Sequence, residues 1–473
     1  MSPKLRVFSA EDQLAFARLS GDYNPIHLDP VVARRLLFGQ PVVHGMHALL
    51  WAVDGLLAQT EAKVRLKAVK ARFRSSIPLD VPVELQVNHK SPTDAALELR
   101  SEGAKVLTAN VSLELTTGRE TPIPREVPAS GPCRDQSPAE LASAGGKVLL
   151  CLEPEIAKRL FPNAFRLLPA DQLATLLATT RVVGMEAPGL HSILAGLDLH
   201  DCGSTASEDL PELRYATESF DERISRLELR LEAPGLAGMV TAFVRPEPRR
   251  QSAFAAIRLL VGPDEFRHEK ALVIGGPRGL GEVAVKLLAA GGADVRFTYH
   301  RGAAEAERLT SEIAGEGGSV ASFPYDVLCN GSQLAAGVQG WSPTLLCYFA
   351  TPFIATGVER RFSVPRFQNF CRYYLDGFLE AFEAARQLGS LSGVFNPSSS
   401  FVDELPLNMG EYAAAKSAAE TLCRYLEKTH GGIRFHCPRL PRLATDQTAS
   451  LIRTDLPDPA PTLLAALRES VTK

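Results

Sequence analysis

Apolar positions change period twice in the first 118 residues. "SAEDQLAFARLSG" (9–21) has helical spacing, with Ser9 placed as N-cap and acids in the first turn, which predicts a helix. "PVVHGMHALLWAVDGLLA" (41–58) is apolar almost all round and predicts a fully buried helix after Pro41. "KAVKARFRSSIPLDVPVELQVNHK", "ALELRSE" and "KVLTANVSLEL" then alternate, as antiparallel strands packed on one face do. The expectation is an α+β layout, one buried helix wrapped by a curled sheet.

The order recurs loosely over 147–245. "DQLATLLATTRVVGMEAPGLHSILAGLDLH" (171–200) reads as a long apolar helix, and "SRLELRLEAPGLAGMVTAFVRP" as strands. This predicts a degenerate second copy of the first fold. From 271 the pattern changes to alternation: strand "KALVIGG", helix "GLGEVAVKLLAAGG", strand "ADVRFTYH", helix "AAEAERLTSEIAGEGG" and strand "SVASFPYDV". Strands alternating with helices imply a parallel, doubly wound sheet. Pro, Gly, Ser and charge accumulate at 119–146 and at 246–270, which read as linkers between units 1–118, 147–245 and 271–473.

Composition changes this picture little. At 473 residues, 45% hydrophobic and 22% charged, the chain has material for two to four ordinary globular domains. A net charge of −3 without a basic block argues against nucleic acid or an anionic membrane as partner. Eight scattered cysteines without Cys-x-x-Cys imply free thiols and no metal site. The N-terminus lacks the apolar core of a signal peptide, and no uncharged run reaches about 18 residues. A cytoplasmic, soluble protein is expected.

Chemistry concentrates in two places. "SGDYNPIHLD" (20–29) sets Asp22 and His27 across a turn stiffened by Pro25, with Asn24 able to bond its own backbone. A histidine beside a carboxylate can polarise a water, and Gly45, opening the buried helix in "VHGM", offers an unpaired N–H as an oxyanion donor. Alone, an Asp and a His also suit a polar turn. The whole string Gly21-Asp22-Tyr23-Asn24-Pro25-Ile26-His27 resembles the signature of the MaoC-like, (R)-specific enoyl-thioester hydratases of the hot-dog fold. The resemblance implies hydration or dehydration of the 2,3-bond of an acyl thioester, with Asp22, Asn24, His27 and Gly45 in the site. It also implies a double hot dog whose second half is catalytically empty.

The second place is "VIGGPRGLGE", which sets Gly275, Gly279 and Gly281 between a strand and a helix. Glycines there let a pyrophosphate approach a helix N-terminus. "EYAAAKSAAE" puts Tyr412 and Lys416 one turn apart, where the lysine is expected to lower the phenol's pKa, and Ser399 lies upstream in "NPSSSFV". Together these resemble the short-chain dehydrogenase/reductases, in particular 3-oxoacyl-thioester reductases. The resemblance places Gly275, Arg278, Gly279, Leu280 and Gly281 at the pyrophosphate, Asp326 and Val327 at the adenine, and Thr445 at the nicotinamide. The second strand ends in "TYHR" without an acid, so Arg278 and Arg301 favour a 2′-phosphate and NADPH over NADH. Two family asparagines are missing: their segments read "YFAT" (348–351) and "YLDG", with Tyr374 in the second.

The reading is therefore a bifunctional enzyme acting on acyl-CoA or acyl carrier protein thioesters, expected as a homo-oligomer. It would reduce 3-oxoacyl groups with NADPH and dehydrate the product or hydrate the enoyl form. A hydratase with a degenerate, cofactor-binding or dimerising reductase-like domain is the alternative.

Overall fold

The period-two segments become strands of one sheet in the computed structural model, which describes residues 4–116, 122–129, 131–203, 210–329, 332–354, 360–451 and 454–471. Strands β1 (Lys4–Val7), β2 (Val64–Phe73), β3 (Pro82–His89), β4 (Asp94–Ser101) and β5 (Ala104–Leu115) come from the first segment. Strands β6 (Gly145–Leu149), β7 (Ser192–His200), β8 (Glu212–Asp221), β9 (Arg226–Ala233) and β10 (Leu236–Val244) come from the second. Their order across the sheet is β1-β3-β4-β5-β2-β7-β10-β9-β8-β6. Read inward from either edge, each set of five follows the same sequence: first, third, fourth, fifth, second. The sets join along β2 and β7, which pair antiparallel from Ala68↔His200 to Arg72↔Gly196. One apolar core runs through both sets, so the segments 1–118 and 147–245 share a single compact unit that extends to Glu247.

The 41–58 segment forms a helix at Gly45–Leu57, buried from Met46 to Leu57 except at Gly55, as its all-round apolar character requires. Its buried Asp54 carboxylate accepts from the backbone N–H groups of Asn163 (2.7 Å) and Ala164 (2.9 Å), the unpaired donors that open the Pro162–Leu167 helix. The 171–200 stretch is not the single helix expected. It divides into a helix at Ala170–Arg181, a π-helical turn at Val182–Glu186 and strand β7. Pro188 and Gly189, the latter at φ 74°, break it. Periodicity does not separate a buried helix from a buried strand when both are apolar.

The second unit begins at Pro248. Residues 246–270 are more than the linker expected, because Phe254, Ile257, Val261 and Phe266 are buried in that unit's core. Likewise, within 119–146 Ser137 caps a short helix, Pro138–Ala142, whose Leu141 is buried. The strands of the second unit are β11 (Lys270–Ile274), β12 (Asp294–Tyr299), β13 (Val320–Pro324), β14 (Leu345–Tyr348), β15 (Gly393–Phe395), β16 (Ser398–Ser399), β17 (Arg434–His436) and β18 (Arg439–Leu440). β16 pairs with β18, and the other six form an all-parallel sheet in the order β13-β12-β11-β14-β15-β17. This is a doubly wound, Rossmann-type arrangement. The order reverses between β11 and β14, where open parallel sheets bind ligands beyond the strand ends.

A buried ion network ties the 248–270 segment to the first helix of that unit, Gly279–Ala290. Lys286, 1% exposed, donates at 3.0 Å to Ser252 O, Glu282 and Glu312. Removing one partner of a buried pair costs about 3–5 kcal/mol. Lys286→Met is expected to lose about 3 kcal/mol in urea unfolding, because Arg308, 3.3 Å from Glu282, stays to compensate in part. A loss below about 1 kcal/mol would mean that Arg308 replaces the lysine.

Candidate functional site

The first site grows out of the end of a capped helix. Ser9 and Asp12 form a capping box for Ala10–Ser20, and Gly21 ends that helix in the left-handed region at φ 79°. The next turn folds on itself. Asn24 N–H donates to Asp22 Oδ1 (3.1 Å), and Ile26 N–H donates to Asn24 Oδ1 (3.2 Å), so Asn24 caps the single turn Pro25–Leu28. Asp22 and Asn24 are thereby fixed and almost wholly buried.

His27 is oriented by one bond. Its Nδ1 lies 2.8 Å from Val42 O, and a carbonyl only accepts, so Nδ1 carries the proton and the neutral ring presents a bare Nε2. A carboxylate oxygen of Asp22 and a ring nitrogen of His27 lie within 4.8 Å, a spacing that one water can bridge with two ordinary hydrogen bonds. Burial raises the Asp22 pKa, opposed by the His27 charge and the Thr180 bond. Burial likewise lowers that of His27, opposed by Asp22. The two shifts run toward each other, which lowers the cost of passing one proton between acid and base.

Both groups open on a cavity of about 240 Å³, together with Gly45 at the N-terminus of its buried helix. Much of the remaining lining is apolar, including Ile26, Phe38, Val43, Phe73, Leu107 and Phe243, with Arg74, Ser75 and Ser76 among its polar members. The helix N-terminus leaves backbone N–H groups unpaired there, and a Cβ on Gly45 would meet the Phe73 ring at 3.0 Å. The site thus offers a water position, a base and an anion-stabilising donor beside an apolar slot. His44 joins Asp22 and His27 among atoms close enough to hold a metal. Both His44 nitrogens, however, face protein acceptors, Gln13 Oε1 (2.9 Å) and Asp22 O (3.1 Å). Two ligand atoms then remain, fewer than the three protein ligands of ordinary zinc sites.

The Ala170–Arg181 helix and the turn that follows it, before β7, do more than wall the slot. Thr180 Oγ1 donates to Asp22 Oδ2 at 2.7 Å. Asn24 Nδ2 donates to Gly184 O (3.0 Å) and Gly189 O (3.1 Å). A Cβ on Gly184 would fall 2.2 Å from Asp22 Oδ1, so the π-helical turn brings bare backbone against the carboxylate. Gly184→Ala is expected to displace Asp22 and lower enoyl hydration by about 10²-fold, the usual cost of roughly 1 Å misplacement, with the melting temperature held within a few degrees. An unchanged rate would mean that the carboxylate's position is immaterial. Thr180 and Gly184 were not singled out from sequence; the one signal was a glycine inside an apolar helical run, "RVVGME".

In the second unit the glycine loop meets its expectation locally. Gly275 takes φ 82° and Gly279 φ 57°. A Cβ on Gly281 would lie 2.1 Å from Gly275 O, and one on Gly275 would lie 3.0 Å from Ala350 N, which brings the loops after β11 and β14 together. Gly279 is less crowded: a Cβ there would make only ordinary contact with Thr445, 3.9 Å away, at the start of the Gly279–Ala290 helix. Arg278 stands at that helix's N-cap, and Leu280 is half-buried against the core. At the outer strands Arg301 is exposed, Val327 is buried, and Asp326 accepts from Leu328 N–H (3.0 Å) with His300 at 3.5 Å.

The tyrosine and lysine differ from expectation. Burial pushes Tyr412 up to about 12, opposed by a hydrogen bond with Ser399, rather than the lysine lowering it. Lys416 donates instead to Pro397 O (2.9 Å), with its ammonium 4.1 Å from the centroid of the Tyr374 ring, and burial lowers it to about 8. The Tyr374 hydroxyl is 2.6 Å from Thr351 Oγ1. Tyr374 therefore holds the lysine by its ring face.

Residues 2–110 match the family model of the MaoC like domain. An (R)-specific enoyl-CoA hydratase from Aeromonas caviae is 50% identical over 52 residues, 11% of this chain and 38% of the relative. A peroxisomal multifunctional enzyme type 2 from Drosophila melanogaster is 42% identical over 71 residues, 15% of this chain and 12% of the relative. The chain thus spans well under two thirds of the length of these relatives. A solved short chain dehydrogenase from Escherichia coli, complexed with NADPH, is similar at 22% identity over 44% of this chain and 96% of that one, with a TM-score of 0.40.

Proposed function

From a chain whose residues 2–110 match a MaoC like domain, we propose that the first unit adds water to, or removes it from, the 2,3-bond of an acyl thioester. The observation that carries this is the bare His27 Nε2, set by the Val42 bond and sharing a cavity with Asp22 and Gly45. Asp22 and His27 hold the water. As its oxygen bonds to C3, its proton passes to the pair, and C2 takes a proton from the same face. Gly45 N–H stabilises the charge that develops on the thioester oxygen. The second five strands, with their repeated order, and the helix before β7 are a degenerate hot dog without the Asp-x-Asn-Pro-x-His string, and its helix and turn brace Asp22 and Asn24.

The second unit is proposed as a short-chain reductase for 3-oxoacyl thioesters. The glycine turn, with positive φ at Gly275 and Gly279 at the start of the Gly279–Ala290 helix, suits a dinucleotide pyrophosphate, with Leu280 and Gly281 shaping the turn and Thr445 beside Gly279. Asp326 and Val327 would sit at the adenine, and Arg278 and Arg301 at a 2′-phosphate. NADPH supplies the hydride when bound. Ser399 and Tyr412 would hold the substrate oxygen, and Tyr412 would give it a proton.

Crotonyl-CoA and acetoacetyl-CoA, followed separately by enoyl absorbance and NADPH oxidation, test both units. Loss of enoyl absorbance and consumption of NADPH are expected, and silence in both channels would overturn the proposal. A second reading, hydration alone, is favoured by the hold of Tyr374 on Lys416. It expects NADPH binding without oxidation. Among the described residues no helix is long and apolar enough to cross a membrane.

A further inference from the structure

Behind the His27 ring lies a buried string of polar side chains that the hydration chemistry above does not use. Gln13, His44 and His47 are all 0% exposed. The backbone N–H of His44 donates to Gln13 Oε1 at 3.0 Å, which settles the amide's orientation: oxygen toward His44, and Nε2 toward His47 Nδ1 at 3.2 Å. His44 Nδ1 lies 2.9 Å from the same oxygen, and His44 Nε2 lies 3.1 Å from Asp22 O. A neutral ring carries one N–H, which His44 donates from Nε2 to Asp22 O, while its backbone bond to Gln13 holds the residue at the other end; the ring stacks under the His27 ring, with centroids 3.8 Å apart and planes 25° from parallel.

Three polar side chains at zero exposure are a costly way to fill space. His47 Nε2 has no partner at all, and an unsatisfied buried polar atom costs about 1–3 kcal/mol. An apolar side chain would pack against Phe16 without that cost. What such a side chain would lack is a donor to Asp22 O and a plane tied to that peptide beneath His27.

We infer that His44 is a positioning residue: clamped between Gln13 and the Asp22 peptide, it fixes the plane of His27 so that Nε2 stays on the cavity. The Val42 bond alone fixes one point of the His27 ring and leaves rotation about that point open; the stacked His44 closes it. His44 also immediately precedes Gly45, so the same clamp sets the peptide that presents the anion-stabilising N–H. The groups around it are Asp22, His27, His47 and Gln13. Farther out, Arg6 and Arg245 act on His47 and His27 respectively. Burial and the neighbouring histidines hold His44 well below its usual pKa, consistent with a neutral support under a base that must take up charge.

The inference rests on the hydratase reading, so its test needs one readout that requires no substrate. In the full chain, His44→Phe keeps a stacking ring and removes the ring's bond to Asp22 O, while His44→Gln keeps a donor within reach of Asp22. For His44→Phe we expect kcat on crotonyl-CoA to fall by about 10- to 100-fold with KM within threefold, and the acidic limb of the pH profile to move. His44→Gln should recover part of the loss, and NADPH oxidation should not change. Imidazole ¹⁵N NMR should show His27 losing its single Nδ1–H tautomer in the Phe variant. If that signal and kcat both stay as in the parent, with circular dichroism unchanged, the positioning role is overturned. If the tautomer is lost but the parent itself never hydrates crotonyl-CoA, the positioning role stands and the hydratase reading fails. Should the Phe variant not fold, Gln13→Leu, which removes the other end of the clamp, is read by the same signals.

Discussion

Replacing Asp22 with asparagine is expected to lower crotonyl-CoA hydration by about 10²–10⁴-fold, the range that general acid–base catalysis contributes. The substitution is nearly isosteric. The amide oxygen, in the place of Asp22 Oδ1, still accepts from Asn24 N–H, and the amide nitrogen, in the place of Oδ2, donates to the Thr180 hydroxyl oxygen, so the turn and its cap survive. What is lost is a group able to take and return a proton beside the bare His27 Nε2. Initial rates from enoyl absorbance measure the effect, with NADPH oxidation on acetoacetyl-CoA as the internal control. A loss below about fivefold would remove Asp22 from the chemistry.

Tyr412→Phe should remove NADPH oxidation by a similar factor of about 10²–10⁴ and leave hydration unchanged. The pH dependence gives this prediction a second arm. Tyr412 is pushed up to about 12, so it keeps its proton throughout the neutral and mildly alkaline range. Lys416 is lowered to about 8, so it is charged below that pH and loses its charge as pH rises through it. Reduction should therefore decline above about pH 8, in a limb belonging to the lysine and not to the tyrosine. Lys416→Arg, charged at every pH in question, should flatten the limb whatever it does to the maximal rate. An alkaline limb that persists in the arginine variant would assign it elsewhere.

These two variants separate what each stretch of sequence could and could not say. "SGDYNPIHLD" is legible because its order is local: Gly21 ends a helix, Asn24 caps a turn, and Pro25 occupies the first helical position, all within a few bonds. The glycine loop is legible for the same reason, since a positive φ at Gly275 and Gly279 is a demand of the turn itself. The 171–200 stretch misled because burial on all sides erases the period that distinguishes helix from strand. Tyr412 and Lys416 misled in another way. Their spacing puts them on one helical face, but the direction of the lysine is decided by Pro397 O and the Tyr374 ring, which approach from elsewhere in the chain.

The sequence by itself determined the α+β and doubly wound character of the two units, the capped turn that carries Asp22, Asn24 and His27, and the glycine turn after β11. Each depends on contacts a few residues apart, which composition and spacing encode directly. Only the tertiary structure decided what holds the acid and base: Thr180, 158 residues from Asp22; the bare backbone of Gly184; and the clamp of Gln13 and His44 beneath His27. The contacts of Thr180 and Gly184 arise because β2 and β7 join two sets of strands into one sheet. A hydrogen bond across so many residues leaves no period in the chain, and it exists only once the sheet has closed.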